Sequence, residues 1–340
     1  MKKAKIIISV FCIICLLLPF SGCESKQTPQ SKTVFNYFDT VSTIYSYSGD
    51  TEAEFSENCR EIETILEKYH KLFDIYNEYD GINNLCTVNK NAGAKWTAVD
   101  SELIDFLLYA KELYYTTKGE MNIMMGSVLT LWHTARENNA LPDETALIKA
   151  SEFTSIDLLE IDEENSKVRI THPEASVDVG AVGKGYATEK AAAHLKNKGV
   201  SSYVLDIGGN IRTVGNKTDG NGWVTGIKDP HDTSKFAEKL TIANTSCVTS
   251  GDYERYVEKD GIRYHHIIDK DTLYPSTHFS SVTVICEDSG LADALSTALF
   301  CMSLEEGQKL ISTLENVNVI WVTPTGEKHT TPGIIEMRAK

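Results

Sequence analysis

The sequence is short of positive charge. Lysine and arginine total 33 residues against 48 aspartates and glutamates, so the formal net charge of the 340-residue chain is −15. A protein with this balance repels the phosphate backbone of nucleic acids, and we expect no nucleic-acid partner. Any anionic ligand would need local help from a metal ion, a lysine or backbone N–H groups.

The eight cysteines show neither the spacing of a zinc site nor a disulfide framework. Cys12 and Cys15 form a C-x-x-C pair, but both lie in an apolar leader that we expect to be removed. Cys23 is a predicted lipidation site, described below. An odd number then remains, so at least one is a free and buried thiol: Cys59, Cys86, Cys247, Cys286 and Cys301.

Two common phosphate-binding motifs and one hydrolase motif are also missing. The glycine-rich stretch GAVGKG, residues 180–185, is not a P-loop, and no strand is followed by Gly-x-Gly-x-x-Gly. If a nucleotide binds, a different fold holds it. No Gly-x-Ser-x-Gly elbow is present either, so a serine hydrolase is a poor fit.

The N-terminus has the pattern of a bacterial export signal. Lys2, Lys3 and Lys5 precede an apolar run, residues 6–20, that is too short for a comfortable membrane span. The run ends in Phe-Ser-Gly-Cys, which resembles a lipoprotein cleavage box with Cys23 as the lipidated residue; an ordinary secretory signal is the alternative. We therefore predict a signal peptide over 1–22, a lipidated flexible tether over 23–33, and one domain over 34–340 that works outside the cytoplasmic membrane.

Hydrophobic periodicity predicts helices and strands in no regular alternation, which indicates an α+β fold with a mixed or predominantly antiparallel sheet. The longest helix is predicted over 52–73, and Ser101 is the predicted cap of a second helix that Gly119 ends. One further helix is expected directly after the glycine-rich turn of residues 180–185, and two more over 291–302 and 305–314. Strands are expected over 35–47, 223–228, 240–248, 262–268, 281–286 and 316–323.

Residues 178–210 are the most informative stretch for function. A β-branched run leads through a glycine-rich turn with one lysine, Lys184, into an alanine-rich helix, and a second strand then runs into Gly208-Gly209. Turn glycines and a helix N-terminus together suit a bound phosphate. The alternative is that these glycines only connect secondary-structure elements.

Asp293 and Thr297 lie four residues apart on a predicted helix, with Ser296 beside them. They therefore share one helical face. A carboxylate and a hydroxyl, completed by a backbone carbonyl and phosphate oxygens, suit Mg²⁺. The alternative is that Asp293 only caps or polarises a helix start.

Two adjacent histidines occupy a strand-like run. Side chains alternate along a strand, so His265 and His266 face opposite ways and only one can enter a given cleft. A neutral imidazole could act as a general base, although a structural histidine is the alternative. Asp269 could orient that base only if the strand bends.

Eight ordered stretches of the sequence resemble the ApbE family, the FAD:protein FMN transferases, over nearly the whole length after the leader. The matching stretches are YFDTVSTIY, FDIYNEYDGINNLCTVN, TKGEMNIMMGSVLTLW, SVDVGAVGKGYATEKAAAHL, VLDIGGNI, TSGDYERY, YHHIID and LADALSTALF. The resemblance implies a single domain, with flanking helices and an FAD cleft between two lobes.

The resemblance also implies roles for individual residues. Asp293 and Thr297 match metal ligands, with the Ala181 carbonyl completing the protein side and Ser296 adjacent. His266 matches the base. Contacts with FAD are implied for eight further positions: Phe38, Tyr76, Glu120, Met121, Asn122, Asp178, Lys184 and Ile267.

The activity implied by the resemblance is Mg²⁺-dependent transfer of FMN from FAD to a threonine or serine hydroxyl of an acceptor flavoprotein, with release of AMP. The acceptor would belong to an extracytoplasmic electron-transfer system. Two rivals remain open: an FAD pyrophosphatase that uses water, and a flavin-binding lipoprotein without catalysis. The chain departs from the family pattern at Met121-Asn122, Ser127, Lys270 and Leu273, which affects the flavin edge and the acceptor groove rather than the metal site.

Overall fold

The computed structural model describes residues 29–339. The predicted signal peptide, Cys23 and most of the predicted tether lie outside the described residues, so these predictions stay predictions. Among the helices of residues 29–339, none combines the length and the apolar character that crossing a bilayer requires.

The centre of the fold is an open eight-stranded sheet in which every neighbouring pair is antiparallel. Its strand order is β1-β2-β6-β7-β10-β13-β14-β15. The strands of the chain are β1 Gln30–Val34, β2 Ser42–Ser46, β3 Thr97–Ala98, β4 Leu159–Asp162, β5 Lys167–Ile170, β6 Tyr203–Ile207, β7 Asn210–Val214, β8 Trp223–Asp229, β9 Asp232–Ile242, β10 Ser246–Gly251, β11 Tyr256–Lys259, β12 Ile262–His265, β13 Ser281–Cys286, β14 Asn318–Val322 and β15 Lys328–Thr330. The predicted α+β class is confirmed.

Five of the helices cover one face of this sheet. The helices of the chain are α1 Glu52–Phe73, α2 Leu85–Lys90, α3 Ser101–Thr116, α4 Gly126–Glu137, α5 Glu144–Ser151, α6 Gly183–Asn197, α7 Ser289–Cys301, α8 Leu304–Ile311 and α9 Gly333–Met337. Helices α1, α3 and α6 bury a core against β2, β6 and β7, and α7 and α8 bury a second one against β10, β13 and β14. The β8–β9 ribbon and α9 cover the opposite face.

The two longest predicted helices form because their caps and apolar stripes agree. Thr51 and Glu54 make a reciprocal capping box at the start of α1, which spans the predicted residues 52–73. The cap of α3 is Asp100, whose side chain accepts from the Glu102 N–H, so the prediction of Ser101 was wrong by one residue. Gly119 has a φ of +87° and follows the last turn, as expected.

The first predicted strand, 35–47, is two strands separated by a turn. Phe38 and Asp39 have φ of 57° and 50°, which breaks the extended run between β1 and β2. The predicted tether was also too long at its end, because Gln30–Val34 pairs with Ser42–Ser46 as the edge of the sheet.

Further differences from the predictions include three that concern strands near the site. The strand predicted over 240–248 is divided between β9 and β10 by a turn at Asn244, where φ is 49°. The strand predicted over 262–268 ends at His265, one residue before the candidate base. The β-branched residues 177–179 are irregular rather than a strand, and the backbone of Asp178 instead bonds to the Ile123 carbonyl at 2.8 Å.

Candidate functional site

The residues of the predicted site gather at one end of the sheet. One row of the sheet runs through Ser42, Ile207, Asn210 and Val248, close to the turns that join these strands. Gly208 lies so near Thr40 that an added Cβ would stand 2.6 Å from that side chain. The Phe38 turn and the Gly208-Gly209 turn are therefore packed together at this end.

The start of α6 lies at the same end, and a carboxylate from α7 already occupies part of it. Asp293 is buried, and its Oδ2 accepts a hydrogen bond of 2.9 Å from the Gly185 N–H. The Lys184 ammonium is 3.7 Å from the same oxygen. The donors that the sequence predicted for a phosphate thus partly serve to fix Asp293, which leaves its Oδ1 for another partner.

Helix α7 is held in place by a close approach that only glycine permits. A Cβ at Gly185 would stand 2.2 Å from the Ser289 carbonyl oxygen and 2.6 Å from the Asp293 Cβ. The two helices therefore meet backbone to backbone where Asp293 lies. The glycine-rich sequence is needed here for helix packing as well as for a turn.

Ser296 differs from its predicted neighbours in the metal set. It is fully buried, its Oγ donates to the Asp293 carbonyl at 2.9 Å, and it shares a 2.7 Å hydrogen bond with the Ser250 hydroxyl of β10. This hydroxyl is committed to joining α7 to the sheet. Thr297 is half-buried one turn after Asp293, and Ala181 lies in the turn before α6.

The donors of the predicted magnesium site have the right chemistry. Asp293, Thr297 and the Ala181 carbonyl offer a carboxylate, a hydroxyl and a carbonyl oxygen, all hard ligands that Mg²⁺ accepts. Within residues 29–339, no group of three or more His, Cys, Asp or Glu side chains is placed to hold a metal ion. A magnesium ion at the three oxygen donors named here would have to complete its shell with water or phosphate oxygens.

The two histidines have different surroundings, although β12 ends at His265 and so does not include His266. His265 is buried, donates from Nε2 to the Ser276 carbonyl at 2.8 Å, and accepts at Nδ1 from the Ile267 N–H at 3.2 Å. Its ring also packs edge-on against Phe300 at 5.4 Å. His265 is thus fully used in holding the end of β12 to α7.

His266 faces a different environment. Its Nδ1 is buried and has no hydrogen-bond partner within the described part of the chain. Burial, followed by the electrostatic influence of Arg255, His265, Lys184 and Arg136, lowers the pKa of His266 to about 3. The imidazole is therefore neutral at physiological pH, which is the protonation state that a general base must have before it takes a proton.

The Asp269 side chain stabilises the turn that follows it in the sequence. Its Oδ1 accepts from the N–H groups of Asp271 and Thr272 at 2.8 and 2.7 Å, and its backbone pairs with Tyr274. This carboxylate oxygen shapes the loop after His266. Its predicted role in orienting the base remains a prediction.

Sequence reasoning missed two arginines near His266. Arg136, at the end of α4, donates to the His133 Nδ1 at 3.0 Å, and Arg255, in the loop after β10, donates to the Asp39 carbonyl at 3.4 Å. Burial and the neighbouring charge of Arg255 lower the pKa of Arg136. Both arginines come from irregular or terminal segments, so no periodicity in the sequence could have placed them together.

Tyr76 belongs to the same rim of the site. Its ring is 59% exposed and stands 5.2 Å from the His133 ring. Partial desolvation and the nearby Asp178 raise the pKa of Tyr76. An exposed aromatic ring beside arginines is a suitable platform for a planar ligand.

The stretch 120–122 is tied to the loops that contain Lys270 and Thr154. Burial raises the pKa of Glu120, which pairs with Lys270 at 3.3 Å. The Asn122 side chain is used at both ends, accepting from the Met124 N–H and donating to the Thr154 carbonyl, each at 2.9 Å. Lys270, where the family pattern has proline, thus has a definite partner in this chain.

Burial limits how other predicted residues could contact a ligand. Met121 and Ile267 are 1% and 4% exposed and lie in hydrophobic cores, so only their backbone atoms could reach a substrate. Burial also raises the pKa of Asp178, although its Oδ1 accepts from the Gly180 N–H at 2.8 Å. Phe38 packs edge-on against His70 at 5.7 Å.

Two surface clefts lie away from these residues. One, of about 760 Å³, lies between α3 and β4, and another, of about 380 Å³, is lined by residues of α3 and α6 together with Asp288. Neither contains a predicted site residue. The chemistry points to the sheet end instead, because the neutral His266 and the fixed Asp293 lie there.

Comparison with known proteins gives one consistent family. The family model described as "ApbE family" matches residues 38–321. A protein of Treponema pallidum named FAD:protein FMN transferase is 28% identical, with 99% of this chain and 96% of that protein covered. A protein of the same name from Vibrio cholerae is 29% identical, with 92% of each covered.

Solved structures show the same fold. The ApbE protein of Thermotoga maritima aligns with a TM-score of 0.82 at 26% identity, covering 92% of this chain and all of that one. The flavin transferase ApbE of Vibrio cholerae aligns with a TM-score of 0.77 at 25% identity, covering 91% of this chain and all of that one.

Proposed function

The chain belongs to the ApbE family, and from this premise we propose that it is an FAD:protein FMN transferase. The reaction would move FMN from FAD to a threonine or serine hydroxyl of an acceptor protein and release AMP. The observation that carries the proposal is the combination of a fixed buried carboxylate, Asp293, with a neutral and unpartnered imidazole, His266, around the start of α6.

The flavin is a substrate in this reaction. We propose that its pyrophosphate lies between Lys184 and His266, where positive charge is concentrated. Phe38, Tyr76 and the backbone of 120–122 would then flank the isoalloxazine ring. The side chains of Asp178 and Glu120, both with raised pKa values, would bond to the polar edge of the flavin or ribityl chain.

His266 is proposed as the general base. It would take the proton from the acceptor hydroxyl, whose oxygen then attacks the FMN-side phosphorus while the bond to the AMP oxygen breaks. Two charges assist this step. The Lys184 ammonium would stabilise negative charge on the phosphates, and Arg255 or Arg136 would bring the anionic substrate to the imidazole.

A magnesium ion would be held by Asp293, Thr297 and the Ala181 carbonyl, and would neutralise phosphate oxygens there. Ser296 is assigned a different part from the predicted one. Because its hydroxyl bonds to Ser250 and to the Asp293 backbone, we propose that it positions Asp293 rather than binding the metal.

The test is mass spectrometry of an acceptor protein incubated with the enzyme, FAD and MgCl₂. We expect the acceptor to gain the mass of FMN less water while AMP appears in equal amount, and we expect an acceptor with its hydroxyl residue changed to valine to gain nothing. Release of FMN and AMP without an adduct would instead identify a pyrophosphatase. Binding of FAD with neither product would identify a flavin-binding protein.

Asp293→Asn provides the matched enzyme control, because it keeps the side-chain volume and removes the charge. We expect transfer to fall by at least about a hundredfold and the Mg²⁺ concentration for half-maximal activity to rise. Full activity of this variant would remove Asp293 from the mechanism.

We also propose that the protein works outside the cytoplasmic membrane, anchored by lipid at Cys23, and that its acceptor is an extracytoplasmic electron-transfer flavoprotein. The support is the leader pattern of residues 1–23. Labelled palmitate supplied to cells should be incorporated into the protein and not into Cys23→Ser. Equal labelling of both would contradict the anchor.

A further inference from the structure

Asn210 carries a buried polar group that the proposed chemistry has not used. The residue is 2% exposed, and its Nδ2 has no hydrogen-bond partner within residues 29–339. An amide donor kept from both water and protein acceptors costs on the order of 1–3 kcal/mol. Such a group in a folded protein calls for a functional reason.

The sheet register fixes the face on which Asn210 lies. It is paired with Ile207 on one side and Val248 on the other, and both of these neighbours belong to the cores beneath the helices. Paired residues in an antiparallel sheet project to the same face. The Asn210 amide therefore points toward the helix layer.

Two contacts locate Asn210 along that layer. Two residues further along β7, Arg212 forms a bidentate pair with Glu189 of α6, at 2.8 and 3.1 Å. Arg212 and Asn210 are about 7 Å apart along β7, which is close to the rise of one helical turn. One turn before Glu189 on α6 is Gly185. On the other side, Ser250 lies two residues beyond Val248 and reaches Asp293 through Ser296.

From these contacts we infer that Asn210 is a positioning residue for the substrate, with Nδ2 donating a hydrogen bond to a pyrophosphate oxygen beside Gly185 and Asp293. This inference rests on the proposed function and extends it. The site otherwise offers charges to the pyrophosphate from Lys184 and the metal, which attract without fixing direction. A planar amide anchored in the sheet supplies the direction.

The experiment compares Asn210→Leu with the wild-type protein. Leucine has a similar volume and removes the donor, so a group without a partner in the free protein is replaced by an apolar one. We expect the melting temperature to stay the same or rise. We expect the Kd for FAD and the Ki of ADP as its competitor to rise together, by about tenfold or more.

A second test variant and a control variant accompany this comparison. Asn210→Ala removes the same donor with less volume and decides the matter if leucine does not fit. Asn216→Asp changes an amide in the loop after β7, where its Nδ2 donates to the Gly220 carbonyl at 3.0 Å, and should leave both constants unchanged.

Each other outcome overturns the inference. An unchanged Kd for FAD would exclude a substrate contact, with a lower melting temperature then indicating a structural role. A raised Kd for FAD with an unchanged Ki for ADP would place Asn210 at the flavin and not at the pyrophosphate. Failure of the proposed function looks different, because the wild-type protein itself would then fail to bind FAD or to modify an acceptor.

Discussion

At the scale of single residues, the adjacent His265 and His266 differ in how many of their ring nitrogens are used in hydrogen bonds within the protein. His265 uses both ring nitrogens in hydrogen bonds, to the Ser276 carbonyl and from the Ile267 N–H. His266 leaves Nδ1 without a partner in the described chain. The alternation along the strand predicted that the two would differ, and it left open which one enters the site.

We therefore predict opposite effects of the same substitution at these positions. His266→Asn should lower transfer by about a hundredfold or more, since a positioned base contributes on that order, and should keep FAD bound and the protein stable. His265→Asn should lower stability through its lost hydrogen bonds and keep most of the transfer rate per folded molecule. Single-turnover kinetics and urea unfolding of both variants give the comparison, and undiminished transfer in His266→Asn would exclude it as the base.

The acid stability of the protein provides a second prediction for His266. Its pKa is about 3 in the folded protein and near 6.5 when unfolded, so below pH 6.5 the unfolded state binds a proton that the folded state does not. Stability should therefore fall as the pH falls from about 6.5 toward 3. The loss between pH 7 and pH 4 should be smaller in His266→Asn, by on the order of 2 kcal/mol.

His265 contributes in the same direction in both proteins, because burial lowers its pKa as well. The comparison thus isolates His266. Urea unfolding at the two pH values measures the difference, and an equal loss in both proteins would mean that His266 is as accessible to protons in the folded state as in the unfolded chain.

At the scale of elements, the contact between α6 and α7 is decisive, and Gly185 permits it. A methyl group there would meet the Ser289 carbonyl oxygen at 2.2 Å, and this oxygen belongs to backbone that cannot rotate away. Gly185→Ala should therefore separate the helices, at about 1–3 kcal/mol of stability. Asp293 should lose its hydrogen bond from the residue-185 N–H, and Mg²⁺-dependent transfer should fall with it.

Gly307→Ala is the control for this prediction. It also lies in a helix, but an added Cβ would stand 3.2 Å from a Leu299 methyl group, which belongs to a flexible side chain. Alanine should be neutral or slightly stabilising there, because it is the better helix former. If urea unfolding and transfer assays gave the same result for both variants, the close approach at Gly185 would not be what positions Asp293.

The sequence predicted elements well where one physical signal was strong. Helix α1 matches its prediction because a capping box and a long apolar stripe agree on its limits. Strand ends were harder, since a single residue with positive φ is enough to stop an extended run. Asn244 and the Phe38-Asp39 turn did so without any glycine or proline to mark the break.

The site was predictable in part for the same reason. Asp293 and Thr297 share a helix, so their spacing alone placed them on one face. The partners of Asp293 come from a helix about a hundred residues earlier, and Arg136 and Arg255 come from separate loops or termini. Only the folded chain shows that Lys184 reaches Asp293 or that both arginines act on His266.

For the molecule as a whole, the cysteines indicate how its stability is achieved. All five cysteines between residues 29 and 339 are buried as free thiols: Cys59, Cys86, Cys247, Cys286 and Cys301. They contribute to the stability of the protein by packing as small apolar side chains in its interior, and not by forming disulfides. If the protein works outside the cytoplasmic membrane, as we propose, these five thiols must be protected from oxidation without being paired in disulfides.

Burial makes the thiols of these five cysteines unreactive, because it raises their pKa values. It raises the pKa of the Cys59 thiol to about 11 and that of Cys247 to about 12, and it raises the other three as well. Because the thiolate is the reactive form, iodoacetamide at pH 8 should leave all five unlabelled in the native protein and label all five in urea. Peptide mass spectrometry reads each position separately, and reductant should not change the melting temperature. Labelling of any one in the native protein would identify a part of the core that opens, and a loss of stability on reduction would reveal a disulfide that the fold does not contain.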